Sequence, residues 1–267
     1  MKKAFVTFLA TDDFLPGILT LNYSLRIYNP NHDLVIMVTE AISGDVIDIL
    51  KSISGKIKPV PDITNPFTPE NDVRRFGCMY TKLHAFSLTD YDKVVYLDSD
   101  MLICADIEAL FDAPHMSAVI AGGLIKENAA WTELNAGLLV IEPSRQLFNQ
   151  ILRAIPDTAS KDGSDQGFLQ SYYNTWPKDE RLHLPHAFNV PFIYLDNYCA
   201  DHDFSFSYTR RKLKTDIAII HYWGEVKPWQ IDIKTFSRRD KSRQIQAIMM
   251  WWDIFNTAVK KINEGSN

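Results

Sequence analysis

Residues 91–100 read Tyr-Asp-Lys-Val-Val-Tyr-Leu-Asp-Ser-Asp and join an apolar run to two acidic residues. The run from Val94 to Leu97 predicts a strand, and Asp98 and Asp100 follow it directly. Because residues two apart on a strand point the same way, the two carboxylates face one side at the strand end. They repel each other unless a cation lies between them, and a divalent cation with hard oxygen ligands fits there. The alternative is that both acids only cap the following turn.

Predicted strands and helices alternate on both sides of this segment. The strands are expected over 4–9, 34–39, 94–97, 118–121, 138–141 and 217–222, and the helices over 16–28, 42–53, 79–88, 145–154 and 165–173. The run 34–39 is apolar almost throughout, as expected of a strand covered on both faces. The proline-rich segment 58–69 is expected to be loop. This alternation predicts an α/β fold with a largely parallel sheet covered by helices.

The length of 267 residues and the lack of a clear linker predict a single domain over residues 1–267. Its last part has apolar residues at helical spacing, which predicts a C-terminal amphipathic helix over about 235–263. The simplest expectation is that this helix packs on the core. The alternative is a surface for a second copy of the chain or for peripheral membrane contact, because basic residues flank it and Trp251 and Trp252 widen its apolar face.

The composition argues against several other classes of protein. A net charge of -5 argues against nucleic-acid binding through a basic patch. The three cysteines are widely spaced, which is typical of free thiols, and no apolar run approaches the length of a membrane span, so the cytoplasm is expected. The first strand lacks a following G-x-G-x-x-G, which argues against a Rossmann dehydrogenase.

A second group of polar residues follows the strand predicted near the C-terminus. Residues 219–229 read Ile-Ile-His-Tyr-Trp-Gly-Glu-Val-Lys-Pro-Trp. His221 can complete an oxygen-rich metal shell, Gly224 permits a close backbone approach, and Lys227 can neutralise a phosphate. A histidine in this position is otherwise a core residue, but the whole string suits a metal-diphosphate site.

Three shorter segments carry further candidate residues. They are Thr81-Lys82-Leu83-His84, Asn135-Ala136-Gly137 and Asp162-Gly163-Ser164-Asp165-Gln166-Gly167. Each has a plainer interpretation: Lys82 as a solvated lysine, the second segment as a turn, and the third as a helix cap. Arg74 and Arg75 add positive charge upstream that a diphosphate could use.

These segments, in this order, resemble glycosyltransferase family 8, and most of all its glycogenin-like members, whose core the galactinol synthases share. The resemblance runs from residue 4 to residue 229. It implies a GT-A fold with a central, mostly parallel mixed sheet flanked by helices. It also implies a UDP-sugar donor, Mn²⁺ (or Mg²⁺) and retention of anomeric configuration.

The resemblance also assigns residues to roles. It implies that Asp98, Asp100 and His221 bind the metal. It implies catalytic roles for Asp165, Gln166, Lys82 and Lys227. The residues implied in UDP-sugar binding are Phe8, Ala10, Thr11, Phe14, Arg74, Lys82, Asp98, Ser99, Asp100, Asn135, Ala136, Asp162, Asp165, Gln166, His221, Gly224 and Lys227. Ala136 and Ser164 depart from the family pattern, which leaves the sugar open.

The function expected from these features is a retaining, metal-dependent hexosyltransferase that moves a hexose from a UDP-sugar to a hydroxyl of a glycan, a polyol or a lipid head group. We expect the acceptor to attack from the face that UDP leaves, and the rival is double displacement with Asp165 as nucleophile. The alternatives are a UDP-sugar hydrolase, a non-catalytic binding module, and a self-glucosylating primer protein with Tyr194 or Tyr198 as the acceptor.

Overall fold

The computed structural model describes residues 1–53, 55–66, 78–232 and 242–265. Its strands are β1 (Lys3–Leu9), β2 (Leu34–Val38), β3 (Lys56–Pro59), β4 (Lys93–Leu97), β5 (Met101–Ile103), β6 (Leu138–Ile141), β7 (Val190–Pro191), β8 (Phe206–Thr209), β9 (Lys212–Thr215) and β10 (Ile219–His221). Its α-helices are α1 (Leu15–Tyr28), α2 (Gly44–Ser52), α3 (Arg145–Ala154), α4 (Asp165–Tyr172), α5 (Leu195–Asp201) and α6 (Arg243–Gly265). The longest 3₁₀ helix is Met79–Ser87.

A five-stranded sheet in the order β3-β2-β1-β4-β6 forms the centre of the protein. The pairs β1–β2, β2–β3 and β1–β4 are parallel, whereas β4 and β6 are antiparallel. Alternate residues of β1 enter different cores: Val6 lies with residues of α3 and α4, and Phe5 with residues of α1 and α2. Helices therefore cover both faces, and the predicted mostly parallel mixed sheet is confirmed.

A smaller sheet in the order β5-β10-β7 lies beside the central one. Strands β5 and β10 are antiparallel and β10 and β7 parallel, while β8 and β9 form a separate hairpin. A third core covers this sheet and includes the buried Ala247, Ile248 and Trp251 of α6. The C-terminal helix thus packs on the body of the protein.

Three details differ from the sequence expectations. Residues 118–121 form no strand but two isolated bridges, because Ala118 pairs with His183 and Ile120 with Leu134, so no continuous ladder forms. The expected loop over 58–69 overlaps β3, which lies next to β2 at the edge of the described sheet and so tolerates the proline at its end; residues 67–69 lie outside the described part of the chain. Helix α6 begins at Arg243 and not near 235, since Ser242 is not helical; residues 233–241 lie outside the described part of the chain.

The described part of the chain contains no helix that is both long enough and apolar enough to cross a bilayer. Cys78, Cys104 and Cys199 are free thiols, as expected from their spacing.

Candidate active site

Strand β4 ends at the carboxyl edge of the central sheet and places Asp98 there. The backbone N–H of Asp98 donates to the carbonyl of Gly137 at 2.8 Å, which ties the acidic turn to the start of β6. A Cβ atom added to Gly137 would lie 2.5 Å from His221 Cε1 and 3.0 Å from Asp98 Oδ2. The glycine is therefore required for the two side chains to approach the turn this closely.

The pairing of β5 with β10 brings His221 next to the acidic turn. His221 lies opposite Met101 in the register, and the N–H of Tyr222 donates to the carbonyl of Asp100 at 3.0 Å. As a result His221 Nε2 lies 3.2 Å from Asp100 Oδ1 and 3.8 Å from Asp98 Oδ2. Two residues of one turn and one residue of a distant strand thus form a compact cluster.

The cluster of Asp98, Asp100 and His221 is suited to a divalent cation. One ligand atom from each residue lies within 4.8 Å of the others. The Nδ1 of His221 is hydrogen-bonded to Asn189 Oδ1 at 2.9 Å, which leaves Nε2 directed toward the carboxylates. Two carboxylate oxygens and one imidazole nitrogen are a donor set that Mn²⁺ accepts, and carboxylates also suit Mg²⁺.

Lys227 brings a positive charge to this cluster. Its ammonium lies 2.6 Å from Asp100 Oδ2 and donates to the carbonyl of Tyr222 at 3.2 Å. Burial alone would raise the pKa of the Asp100 carboxyl, but His221 and Lys227 outweigh it and hold that pKa well below its usual range. Asp100 is therefore ionised at neutral pH.

A second lysine, Lys82, joins Asp98 to Asp165. Its ammonium forms an ion pair with Asp165 Oδ2 at 2.6 Å and lies 3.3 Å from Asp98 Oδ1. Burial opposes the charge on Lys82, but Asp165 and Asp98 outweigh it and raise the lysine pKa, so Lys82 stays protonated. Burial raises the pKa of Asp165 to about 6, with Asp98 adding to the rise and Lys82 opposing it.

Two cavities meet at these charged residues. The larger measures about 720 Å³ and the smaller about 310 Å³, and both are lined by Lys82, Asp98, Asp100, Asp165 and Lys227. The smaller is also lined by Phe8, Ala10, Thr11, Phe14 and Ser99, all of them among the residues that the resemblance implies in UDP-sugar binding. The larger extends to Asn135, Ala136, Gln166, His221 and Gly224. The structure thus brings most of the predicted binding residues to one site.

Among the predicted binding residues that the structure describes, Asp162 alone lines neither cavity. Its Oδ1 accepts hydrogen bonds from the Ser164 N–H and hydroxyl in the turn before α4, so its contact with a sugar stays a prediction. Arg74, like Arg75, lies outside the described residues. Gln166 does line the larger cavity, where its Oε1 accepts from the Ala136 N–H at 3.0 Å.

The sequence did not point to several residues of the site. Asn189 lies in a stretch without clear periodicity, and only its contact with His221 shows its position. Tyr96 lies inside a strand, where an aromatic residue suggests core packing, yet its hydroxyl donates to Asp98 Oδ1 at 3.0 Å. Trp131 and Trp223 line the larger cavity, and Trp131 is 38% exposed. Trp223 precedes Gly224 in the segment 219–229, which is the signal that was available for it, whereas Trp131 lies between Ala130 and Thr132 and carries no such signal.

Solved glycosyltransferases share this architecture. An active-site mutant of LgtC aligns with a TM-score of 0.61 over 95% of this chain and 95% of its own, at 17% identity. GlyE of Streptococcus pneumoniae aligns with a TM-score of 0.62 over 97% of this chain and 63% of its own, at 16% identity. The protein therefore has the GT-A fold, which confirms the fold class expected from the sequence.

Sequence comparison identifies the family. The model of glycosyl transferase family 8 matches residues 5–232, and the chain belongs to this family. Glycogenin-1 of Oryctolagus cuniculus is 30% identical over 269 residues, which cover 96% of this chain and 76% of that protein. Inositol phosphorylceramide glucuronosyltransferase 1 of Arabidopsis thaliana is 38% identical over 179 residues, which cover 66% of this chain and 31% of that protein.

Proposed function

We propose that this transferase is a retaining, metal-dependent hexosyltransferase that moves a hexose from a UDP-sugar to an acceptor hydroxyl. The observation that carries the proposal is the cluster of Asp98, Asp100 and His221, which lies where two cavities meet and is flanked by two lysines, Lys82 and Lys227. In a UDP-sugar, the two phosphates lie between the nucleoside and the sugar. In this site, the charged residues likewise lie between the two cavities, so the donor and the site match.

The two cavities suggest how the donor lies. The smaller, with Phe8 and Phe14 in its wall, is suited to the uracil and ribose, because aromatic rings pack against a flat base. The diphosphate then lies at Asp98 and Asp100, within reach of Lys227. The hexose enters the larger cavity, next to Asn135 and the other polar residues of that wall.

The reaction breaks the bond between the sugar C1 and the β-phosphate oxygen, and forms a bond between C1 and the acceptor oxygen. A bound divalent cation would offset the charge that grows on the leaving diphosphate. Lys227 supplies a fixed positive charge at the same place, and preorganised charge of this kind typically lowers a barrier by several kcal/mol. We propose that the acceptor attacks from the face that UDP leaves and passes its proton to an oxygen of the leaving diphosphate.

The rival mechanism uses Asp165 as a nucleophile. Asp165 is 1% exposed and its Oδ2 is paired with Lys82 at 2.6 Å, an arrangement that favours a role in positioning and charge balance over attack on the sugar. We expect Asp165→Asn to slow transfer, and a time course by intact-protein mass spectrometry to show no glycosyl adduct in either protein. A sugar adduct on Asp165 of the wild type would establish double displacement.

The acceptor is expected in the larger cavity, beside Trp131 and Trp223, which are among its lining residues. Both residues bring broad apolar faces beside the polar donor site, and an indole face can cover the apolar face of a sugar ring. This favours a glycan among the expected acceptors, ahead of a polyol or a lipid head group.

A thermal-shift screen tests the proposal directly. UDP-glucose, UDP-galactose, UDP-N-acetylglucosamine and UDP-glucuronate are each compared with and without Mn²⁺; UDP-glucuronate is included because curated relatives are named as glucuronosyltransferases. The preferred donor should raise the melting temperature only with Mn²⁺, as ligand binding to the native state requires. No Mn²⁺-dependent effect of any UDP compound would contradict the proposal. Fast UDP release that no acceptor stimulates would indicate a hydrolase.

Self-glycosylation is a second candidate, favoured by the position of Tyr194. Its ring centroid lies 6.3 Å from that of Trp223, beside the larger cavity. Tyr198, by contrast, is 0% exposed and its hydroxyl accepts from the N–H of Leu124 at 3.1 Å, so it is a poor acceptor. If Tyr194 is the acceptor, incubation with the donor and Mn²⁺ adds hexose masses to the wild type and none to Tyr194→Phe.

A further inference from the structure

Asn189 is a buried amide that touches both the metal-binding cluster and the sugar side of the cavity. It is 4% exposed and immediately precedes β7, which pairs with β10 next to His221. Its Oδ1 accepts from His221 Nδ1 at 2.9 Å, and its Nδ2 donates to Asn135 Oδ1 at 2.9 Å. Both polar ends of the side chain are therefore used within the site.

The first hydrogen bond fixes the tautomer of His221. Because an amide oxygen only accepts, Nδ1 must carry a proton, so the neutral ring has its lone pair on Nε2. Nε2 is the atom that lies 3.2 Å from Asp100 Oδ1, on the side of the carboxylates. The contact with Asn189 thus directs Nε2 toward the cation site and holds the ring plane.

The second hydrogen bond fixes the orientation of Asn135. Its Oδ1 accepts from both Asn189 Nδ2 and the N–H of Gly137, each at 2.9 Å. An amide oxygen has two lone pairs, so this acceptor is fully used. The Nδ2 group of Asn135 is then the part of the side chain that can donate to a ligand in the larger cavity, which Asn135 lines.

We propose that Asn189 is a positioning residue that orients His221 for a divalent cation and Asn135 for the donor sugar through one buried amide. The proposal rests on the proposed function, because it takes His221 as a metal ligand and Asn135 as a sugar contact. It adds that the two contacts depend on each other through a residue that touches neither ligand.

Two substitutions separate the two contacts. Asn189→Leu removes both hydrogen bonds at similar volume. Asn189→Asp keeps an acceptor for His221 Nδ1 but cannot donate to Asn135 Oδ1, which then keeps only the Gly137 N–H as a donor and faces a second acceptor, so the orientation of the Asn135 amide is no longer fixed. The matched control is Asn29→Leu, because Asn29 is equally buried at 3% exposure and its Oδ1 accepts from the N–H of Ile107, away from the site.

Mn²⁺ affinity is measured without donor, from the electron paramagnetic resonance signal of free Mn²⁺. Loss of an outer contact to a metal-bound histidine typically weakens metal binding about 10–100-fold, and we expect this of Asn189→Leu. Asn189→Asp should bind Mn²⁺ within about 3-fold of the wild type, since the imidazole keeps its acceptor. Asn29→Leu should lower the melting temperature and leave Mn²⁺ affinity unchanged.

The sugar contact is measured with Mn²⁺ present, as the ratio of UDP affinity to the affinity for UDP-glucose and UDP-glucuronate. Asn189→Asp should bind UDP normally and lose most of the extra affinity that the sugar gives the wild type. Wild-type Mn²⁺ affinity in Asn189→Leu, or equally weak Mn²⁺ binding in Asn189→Leu and Asn189→Asp, would overturn the inference. Failure of the wild type to bind Mn²⁺ would instead overturn the proposed function, and the inference with it.

Discussion

The ammonium of Lys227 lies 2.6 Å from Oδ2 of Asp100, and both side chains are almost fully buried, with exposures of 12% and 9%. The backbone of Lys227 is held in place as well as its side chain. Its N–H donates to Gln230 Oε1 at 2.8 Å, and a short 3₁₀ helix, Pro228–Gln230, begins directly after it. A positive charge is therefore fixed beside the second carboxylate before any ligand arrives.

Replacing Lys227 by methionine tests whether this positive charge contributes to catalysis. The change keeps an unbranched side chain that is one heavy atom shorter and removes the ammonium, so charge stabilisation of the leaving diphosphate is lost. We expect kcat for UDP release to fall about 100–1,000-fold, the range seen when one preorganised group is removed from a reaction centre. The control is Lys51→Met on α2, whose lysine pairs with Asp48 at the surface. A rate within about 3-fold of the wild type would show that Lys227 only balances Asp100.

A substitution at Gly137 tests how much space the cluster of Asp98, Asp100 and His221 needs. An alanine there would place Cβ 2.5 Å from His221 Cε1, so the imidazole or the turn must move. We expect Gly137→Ala to weaken Mn²⁺ binding by more than about 10-fold and to cost about 1–3 kcal/mol in unfolding free energy. Gly44→Ala is the matched control, because a Cβ at Gly44 has no heavy atom within 4 Å. Mn²⁺ titration and urea unfolding measure the two effects, and intact Mn²⁺ affinity in Gly137→Ala would contradict this account of the site.

Asp165 should give the protein a measurable dependence of stability on pH. Burial raises its pKa to about 6 in the folded protein, from the ordinary value of 3.8. Because the folded state binds this proton more tightly than the unfolded state, the contribution to stability is full below about pH 4 and is lost as the pH rises through 6. Between pH 4.5 and 7.5 this amounts to about 2 kcal/mol.

Asp165→Asn removes that titration. The difference in unfolding free energy between wild type and Asp165→Asn should therefore shift by about 2 kcal/mol in favour of the variant as the pH rises from 4.5 to 7.5. Urea unfolding at both pH values without metal or donor measures it. Parallel stability curves for the two proteins would show that Lys82 compensates the buried carboxylate fully.

Substitutions of Trp131 and Trp223 should weaken acceptor binding and leave donor binding unchanged. Both tryptophans line the larger cavity, whereas Phe8, Ala10 and Thr11 line the smaller one and not the larger. Loss of an aromatic face of this size costs about 1–3 kcal/mol of binding, so we expect Trp223→Ala or Trp131→Ala to raise the acceptor KM about 5–100-fold. UDP release without acceptor should stay the same.

Val226→Ala is the control for the tryptophans, since Val226 is 65% exposed near the same segment and is not among the residues lining the cavity. Initial rates at varied acceptor and saturating donor separate KM from kcat. An equal loss of donor affinity in the tryptophan variants would place the two indoles at the donor.

The sequence predicted the framework of the molecule well, for local reasons. The spacing of apolar residues predicted strand β6 and helix α3 to the residue. Helix α2 begins at Gly44, two residues later than expected, because Ser43 caps it by accepting from the N–H of Val46. The strand predicted over 118–121 was wrong, because the apolar residues there have no continuous pairing partner. Strand β3 was missed because its lysines and proline are typical of a loop, and only pairing with β2 makes it a strand.

The sequence by itself determined which chemical groups are present and which strands and helices carry them at their ends. It could do so because periodicity, capping and turn formation depend on neighbours along the chain. Only the tertiary structure decided that His221 faces Asp100, that Lys82 joins Asp98 to Asp165, and that Asn189 holds His221. These contacts depend on the pairing of β5 with β10 and on the packing of α4 against the sheet. Such contacts join residues that are far apart in the sequence, and no local pattern specifies their distances.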